Sequence, residues 1–362
     1  MKLYHMIGLT TASLISLGSL AFMTNVKRVE LNQDFKIENI SGNLSELDGV
    51  ALKGIIKTDQ SNYSKVLLES DTFQMSPTTY DYFYSMDDEK LDNRELYRNA
   101  PWAKTFENDD YVITSQFDTS FPYSADVATS RLAVKNKKTN QITTTTVALK
   151  EFSSQEGRDS EYITDYNGTY YYILTTYGRM NSNSRILVYT FNPDTLRTTF
   201  KFELSSDYSG TTTTDGKMLY MTGYPSHSDQ LQLLSLDLET EEPKTIDLNL
   251  NIYPNQLIVK NNKLYLISDS GIYTYDASIS STEVITPSFT EELNQYDYFW
   301  IEQTIAHDNK LYILYIAYKQ SHSTQYLSIL DTNTNTNKIK FEGKIAVRSD
   351  QGLIDNYTLI VR

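Results

Sequence analysis

Residues 308–314 read Asp-Asn-Lys-Leu-Tyr-Ile-Leu, and residues 261–267 read Asn-Asn-Lys-Leu-Tyr-Leu-Ile. Each stretch joins a polar turn dipeptide to a short strand of aromatic and aliphatic residues. Such dipeptides, Asn-Gly and Asp-Gly above all, accept the positive φ angles of a two-residue turn, so the flanking segments are predicted to pair as a β-hairpin. Looser copies stand at 215–221, 167–173, 108–113, 48–52 and 355–361, which makes seven in all.

A second hairpin follows the phrase in several copies. Its strands run from 186–189 to 200–202, from 233–237 to 245–248, and from 326–331 to 338–341, each pair across an Asp or Asn turn. Four strands per unit, repeated every 46 to 61 residues, are typical of β-propeller blades. The sequence therefore predicts an all-β propeller of seven four-stranded blades, with six or eight blades as the alternatives.

The strand after the turn is apolar on both faces. Residues 311–316, Leu-Tyr-Ile-Leu-Tyr-Ile, lack the alternation of a strand that is wet on one side, so we expect sheets packed against both faces. The last copy contains only its first hairpin, and residues 26–40 resemble strands with no turn phrase before them. We expect these N- and C-terminal strands to complete the last blade and close the ring.

Composition supports the β class and excludes several functions. The 362 residues include 29 Tyr, four His and no Cys, and 46 acidic against 32 basic residues give a net charge of −14. Aromatic residues favour strands. Without Cys, the chain has no disulfide, thiol nucleophile or Cys-bound metal, and its negative charge excludes nucleic acid as a partner. Because the common nucleophile and phosphate-binding motifs are also absent, we assign no catalytic residue, metal or cofactor.

Residues 1–25 are predicted to direct the chain out of the cytoplasm. Lys2 and His5 precede an apolar run from Met6 to Met23, and Lys27 and Arg28 follow it. The run is long enough for a signal peptide and close to the minimum for a membrane-spanning helix. We interpret it as a signal anchor in the cell membrane, with a cleaved signal peptide and a secreted protein as the alternative. In both cases, residues 26–362 form an extracellular propeller domain.

The turn phrase resembles those of kelch-type and quinoprotein-type propellers, in which a similar turn precedes Leu-Tyr. The resemblance covers most of residues 26–362, but the paired glycines of kelch repeats are absent. Residues 40–50, Ile-Ser-Gly-Asn-Leu-Ser-Glu-Leu-Asp-Gly-Val, also resemble the start of membrane-anchored envelope proteins of Gram-positive bacteria. That second resemblance implies a location and no activity.

Two aromatic stretches are the best candidates for a ligand site. Trp102 and Trp300 are the only tryptophans, and Tyr82 and Tyr296 lie in the aromatic stretches beside them. We expect these stretches at the loop end of the propeller, where aromatic faces can stack on sugar rings or hold a peptide side chain. Packing between blades is the alternative interpretation.

His227 and His322 are weaker ligand-binding candidates. Each stands in a Ser-His-Ser phrase in what the repeat predicts to be equivalent loops of the fourth and sixth blades. Imidazoles can bind metals or move protons, but a whole blade separates these two. Residues 331–342 imitate a calcium loop, except that Thr336 stands where such a loop needs glycine. We therefore predict no metal site.

The sequence thus indicates a monomeric, non-catalytic binding or scaffold module of the bacterial cell envelope. The expected partner is an envelope protein or wall carbohydrate, and the membrane is contacted only through the N-terminal helix. The alternative is an extracytoplasmic enzyme, directed at glycosides or peptides, that uses carboxylates at the propeller axis as acid and base.

Overall fold

The structure, a computed structural model, describes residues 19, 36–57, 63–69, 72–78, 93–98, 100, 103–118, 127–153, 156–178, 184–206, 210–223, 230–276, 281–319, 322–333, 337–346 and 354–361. The predicted signal in residues 1–25 lies outside this part of the chain, Ser19 apart. Within the described ranges, no helix is long and apolar enough to cross a membrane.

The described residues are almost entirely β-strand, as predicted. In the first half of the chain the strands are β1 (Lys36–Gly42), β2 (Val50–Lys57), β3 (Tyr63–Glu69), β4 (Thr72–Thr78), β5 (Lys104–Glu107), β6 (Tyr111–Phe117), β7 (Ala128–Asn136), β8 (Ile142–Leu149), β9 (Glu156–Tyr166), β10 (Thr169–Gly178), β11 (Ser184–Phe191) and β12 (Thr198–Ser206). In the second half they are β13 (Thr212–Thr214), β14 (Met218–Gly223), β15 (Leu231–Asp237), β16 (Pro243–Leu250), β17 (Gln256–Lys260), β18 (Lys263–Ser268), β19 (Gly271–Asp276), β20 (Ser281–Ile285), β21 (Tyr298–His307), β22 (Lys310–Lys319), β23 (His322–Asp331), β24 (Ile339–Ala346) and β25 (Ile354–Val361). Short helical turns are the 3₁₀ turn Leu44–Leu47, α1 (Arg94–Tyr97) and α2 (Thr290–Leu293).

These strands form six antiparallel sheets within the described residues. We number them by their place along the chain: sheet I (β25-β2-β3-β4), sheet II (β5 to β8), sheet III (β9 to β12), sheet IV (β13 to β16), sheet V (β17 to β20) and sheet VI (β1-β24-β23-β22-β21). Successive four-stranded sheets of this kind are propeller blades. The fold is therefore the predicted all-β propeller.

The number of sheets is six rather than seven because the first and seventh copies of the repeat share sheet I. β1 does not pair with β2; it adds to β24 as a fifth strand, from Lys36↔Ala346 onward. This leaves one edge of β2 open, and β25 pairs there, from Val50↔Val361 onward. The two chain ends thus meet in one sheet as expected, but β25 completes the first repeat instead of being completed by residues 26–40.

Two of the predicted turns, at 167–168 and 261–262, have the expected backbone. Asn167 and Gly168 have φ angles of 49° and 75°, and Asn261 and Asn262 have 51° and 61°. Two successive positive angles define the hairpin turn that twists with its strands. Residues 355–356, by contrast, lie inside β25, so that loosest copy of the phrase forms no turn.

The contacts group into two compact units, and the larger one comprises residues 87–286. There, sheets II to V pack face to face in order. β10 shows why its sequence does not alternate: Tyr170 and Tyr172 pack toward sheet II, while Tyr171 and Ile173 pack toward sheet IV. Apolar residues on both faces are therefore required, as the repeat predicted.

The other unit contains sheets I and VI, which also pack face to face. Their shared core takes Leu52 from β2, Leu314 from β22 and Leu359 from β25. On β22 every residue from Leu311 to Ala317 is buried. β21 and β22 consequently form a rigid pair of strands, and the candidate site lies at one end of this pair.

Candidate functional site

Three aromatic residues lie together where β21 begins and β22 ends. Tyr298 and Trp300 are two positions apart on β21, so their side chains leave the same face of the sheet. Tyr318 on β22 is directly opposite Tyr298 and diagonal to Trp300, whose own partner is Ile316. Cross-strand and diagonal neighbours are close enough for aromatic side chains to touch. We call these three residues the aromatic stack.

The three rings are nearly parallel. The planes of Tyr298 and Trp300 differ by 2°, with ring centroids 5.9 Å apart. Tyr318 lies 5.2 Å from Tyr298 at 12° and 5.0 Å from Trp300 at 13°. Offset parallel rings at these distances are a favourable aromatic arrangement.

The stack is fixed at its base and open at its outer ring. Trp300 and Tyr318 are half-buried and pack against the core shared by sheets I and VI. Tyr298 leaves 53% of its surface exposed. The outer ring thus presents an exposed aromatic face on a buried strand pair, a feature that favours an interaction site.

A carboxylate lies beside the stack, at a β-bulge. The register of β21 against β22 shifts between Ile301 and Gln303, so Glu302 is the extra residue. Bulges redirect side chains at functional sites. The Trp300 indole Nε1 donates a hydrogen bond to Glu302 Oε2 at 2.8 Å, in an exposed position. The rim of the stack thus carries a negative charge.

The repeat itself does not produce this stack. Tyr177 on β10 occupies the place that Tyr318 occupies on β22, but its partner on the neighbouring strand is Gly157. A Cβ atom built on Gly157 would lie 2.1 Å from the Tyr177 ring, so the ring covers the glycine. Within the described residues, sheet III therefore lacks an equivalent of the stack.

Tyr296, a predicted ligand residue, lies elsewhere. Its hydroxyl is 3.0 Å from the hydroxyl of Tyr326, and the two rings meet edge to face. Tyr326 is fully buried, and burial together with Tyr296 and Glu292 raises its pKa strongly. Tyr326 and Leu327 leave β23 on opposite faces, and Leu327 belongs to the core that Trp300 packs against. The structure thus does not bring Tyr296 into the stack.

The remaining predicted residues add little to the site. Trp102, Tyr82 and His227 lie outside the described residues. His322 is the first residue of β23, paired with Lys319, rather than part of a loop, and its side chain is outside the description.

Buried carboxylates in the described residues already have donors. Glu161 accepts hydrogen bonds from Tyr172 at 2.9 Å and Arg158 at 3.2 Å. Glu342 accepts the Ser41 hydroxyl at 2.7 Å and the Ser288 N–H at 2.6 Å. These bonds satisfy acids that would otherwise be costly to bury.

The first and last acidic residues of the calcium-loop-like segment 331–342 have different partners. Asp331 pairs with Lys340 at 3.3 Å, whereas Glu342 is bonded to the two serines. Within the described residues, no group of three or more His, Cys, Asp or Glu side chains could hold a metal.

Two members of the site could not be found in the sequence. Tyr318 joins Trp300 only through the pairing of β21 with β22, and the bulge at Glu302 depends on the same pairing. The aromatic stretch 296–299 was the available signal in the sequence for the region around Trp300.

Comparison with known proteins adds distant likenesses in shape. No family model and no curated protein sequence matches the chain. TolB from Acinetobacter baumannii is 12% identical, with a TM-score of 0.39, over 87% of this chain and 67% of TolB. A chain of a nidogen/laminin complex is 13% identical, with a TM-score of 0.42, over 86% of this chain and 99% of that one.

A variant of Synechocystis apocarotenoid oxygenase is 8% identical, with a TM-score of 0.42, over 70% of this chain. This chain spans only 61% of the oxygenase's length. Likenesses at this level carry no argument about what the chain binds.

Proposed function

We propose that this chain is a monomeric, extracytoplasmic and non-catalytic binding module of a bacterial cell envelope, and that its aromatic stack binds wall carbohydrate. The observation that carries the proposal is the stack of Tyr298, Trp300 and Tyr318, which is ordered by a buried core and exposed at its outer ring. The apolar residues 6–23 support the location.

Carbohydrate suits the chemistry of the stack. One face of a pyranose ring consists of C–H groups and can lie flat on an aromatic ring, while its hydroxyls need hydrogen-bond partners at the edge. The Tyr298 hydroxyl can donate and accept such bonds, and the Glu302 carboxylate can accept them. Because β21 and β22 already hold the rings in place, little side-chain freedom is lost when a sugar binds.

The enzyme alternative is less well supported by the same observations. Glycoside hydrolysis needs two carboxyl groups facing one bond, one of them with a raised pKa. The pKa of Asp269 is raised through burial, but this carboxyl group accepts a hydrogen bond from Asn255 at 2.6 Å. Glu156, by contrast, has a lowered pKa.

The proposal is tested by removing the outer ring. In the full-length protein, Tyr298→Ala should weaken co-sedimentation with purified Gram-positive cell wall about tenfold, because an aromatic anchor at a binding site contributes on the order of 1–2 kcal/mol. The matched control is Tyr253→Ala, since Tyr253 is 73% exposed and outside the stack. It should change binding less than about twofold.

A spectroscopic measurement locates the ligand. Trp102→Phe leaves Trp300 as the only tryptophan of the chain. Solubilised wall fragments should then change the Trp300 fluorescence with the same concentration dependence as binding. Wall binding that is equal in the wild type and Tyr298→Ala, or that leaves this fluorescence unchanged, would exclude the stack as the site.

A further inference from the structure

The chain covers several of its own aromatic rings with its own cations. Lys201 Nζ lies 5.6 Å from the centre of the Tyr171 ring, and Lys217 Nζ lies 5.9 Å from that of Tyr166. The face of an aromatic ring is electrically negative, so an ammonium group above it is stabilised. Such pairs recur in both compact units, since Lys344 lies 5.5 Å from the centre of Tyr326 in the other one.

Tyr298 and Trp300, the two stack residues on β21, depart from this pattern. Within the described residues, no Lys or Arg side chain lies over the ring of Tyr298 or Trp300. The charged group held at the rim is instead the Glu302 carboxylate, 2.8 Å from the indole nitrogen. Negative ring faces and a negative rim add to each other, so the site's own field favours a positively charged ligand.

We infer that the stack binds amino sugars with a free, positively charged amino group in preference to neutral N-acetylated sugars. This inference rests on the proposed carbohydrate function and names its ligand class. The sugar ring would lie on Tyr298, and its ammonium group would be attracted by the ring faces and by Glu302. An N-acetyl group removes the charge and thereby both attractions.

Two soluble probes that differ only in this group test the inference. We expect the glucosamine tetramer to bind the full-length Trp102→Phe protein about tenfold more tightly than the N-acetylglucosamine tetramer, as measured by Trp300 fluorescence and calorimetry. The preference should fall as salt is added, because exposed charge pairs are screened.

The rim charge is tested by Glu302→Gln, which keeps an oxygen that can accept the indole hydrogen bond. In this variant the ratio of the two affinities should fall about threefold, and the affinity for the N-acetylated tetramer should not change. The matched control is Glu239→Gln, because Glu239 is also exposed, lies in the turn between β15 and β16, and changes the net charge equally. It should retain the full preference.

The possible failures separate the two proposals. Equal binding of the two tetramers, or a preference that is undiminished in Glu302→Gln, would overturn the inference and leave the carbohydrate function standing. Binding of neither tetramer, together with no binding to cell wall, would overturn both. Tighter binding of tetralysine than of the glucosamine tetramer would also overturn the inference, since the stack would then recognise lysine side chains of a protein.

Discussion

The pair of Arg185 and Glu156 shows how the fold accommodates a charge between strands. Glu156 is 2% exposed, and Arg185 donates to its two oxygens from Nε at 2.5 Å and Nη2 at 2.6 Å. The Ser153 N–H and the Thr176 hydroxyl complete the carboxylate's hydrogen bonds at 2.9 and 3.2 Å. A buried carboxylate with all these donors is stable only while the donors remain.

Arg185→Met should therefore destabilise the protein by about 3 kcal/mol, because it leaves a buried charge without its partner. Urea denaturation followed by circular dichroism measures this. The control is Lys138→Met, which removes the exposed pair of Lys138 with Asp110 at 2.6 Å and should cost less than about 1 kcal/mol. Equal losses in the two variants would contradict the structural role of Arg185.

The contribution of Glu156 to stability should depend on pH. Burial alone would raise the pKa of Glu156, but Arg185, Ser153 and Thr176 together hold it below its usual 4.5. The unfolded chain therefore takes up this proton more readily than the folded protein, so the stabilisation is present above pH 4.5 and is lost as the pH falls through the lowered folded pKa. The stability difference between the wild type and Arg185→Met should thus be larger at about pH 7 than at about pH 4.

At the scale of elements, a side chain connects β21, an edge strand of sheet VI, with β25, an edge strand of sheet I. Leu359 N–H on β25 donates to Gln303 Oε1 at 2.7 Å, and Gln303 Nε2 donates back to Leu359 O at 3.3 Å. The amide of Gln303 thus pairs with β25 as a peptide group of a neighbouring strand would. This contact joins sheet VI to sheet I where no backbone pairing joins them in the described residues.

Gln303→Leu should cost about 1–3 kcal/mol of stability, because both backbone groups of the buried Leu359 lose their partner. Chemical denaturation checks this value. Gln74→Leu is the control, since Gln74 is exposed on β4, and it should stay within about 0.5 kcal/mol of the wild type. A Gln303→Leu protein as stable as this control would show that the two bonds contribute nothing.

Strand positions could be predicted from the sequence, but the register between strands could not. Strand positions could be predicted, because a turn dipeptide and an apolar run are local signals, as in β22. The bulge at Glu302 could not, because it depends on how β21 aligns with its partner. Tyr318 was missed for the same reason, whereas Trp300 stood out by its residue type alone.

At the scale of the whole molecule, the number of blades also depends on strand pairing, which the sequence does not show. The repeat correctly predicted the all-β propeller and the meeting of the chain ends. Of the seven blades preferred and the six or eight kept as alternatives, the described residues form six sheets, because residues 355–361 resemble the start of a new copy and yet pair with β2. The first and last copies of the repeat share one sheet because β1 pairs with β24 and leaves an edge of β2 open for β25.

Deletion of residues 353–362 should abolish cooperative thermal unfolding, because it removes β25 and leaves the edge of β2 and the core around Leu52 uncovered. Calorimetry of the full chain and the deletion measures this. Leu359→Ala is the control that keeps the strand, and it should lower stability by about 2–5 kcal/mol while preserving a single transition. An unchanged melting curve for the deletion would refute the role of β25.

The place of β25 also sets the order of events while the chain is being made. β4 ends at Thr78 and β25 begins at Ile354, so 275 residues lie between β4 and the strand that completes sheet I. At a synthesis rate of ~10 residues per second, the ribosome needs roughly half a minute to span that distance. Throughout this interval the nascent chain carries an open sheet edge, and we expect chaperones to be needed most at its N-terminal repeat.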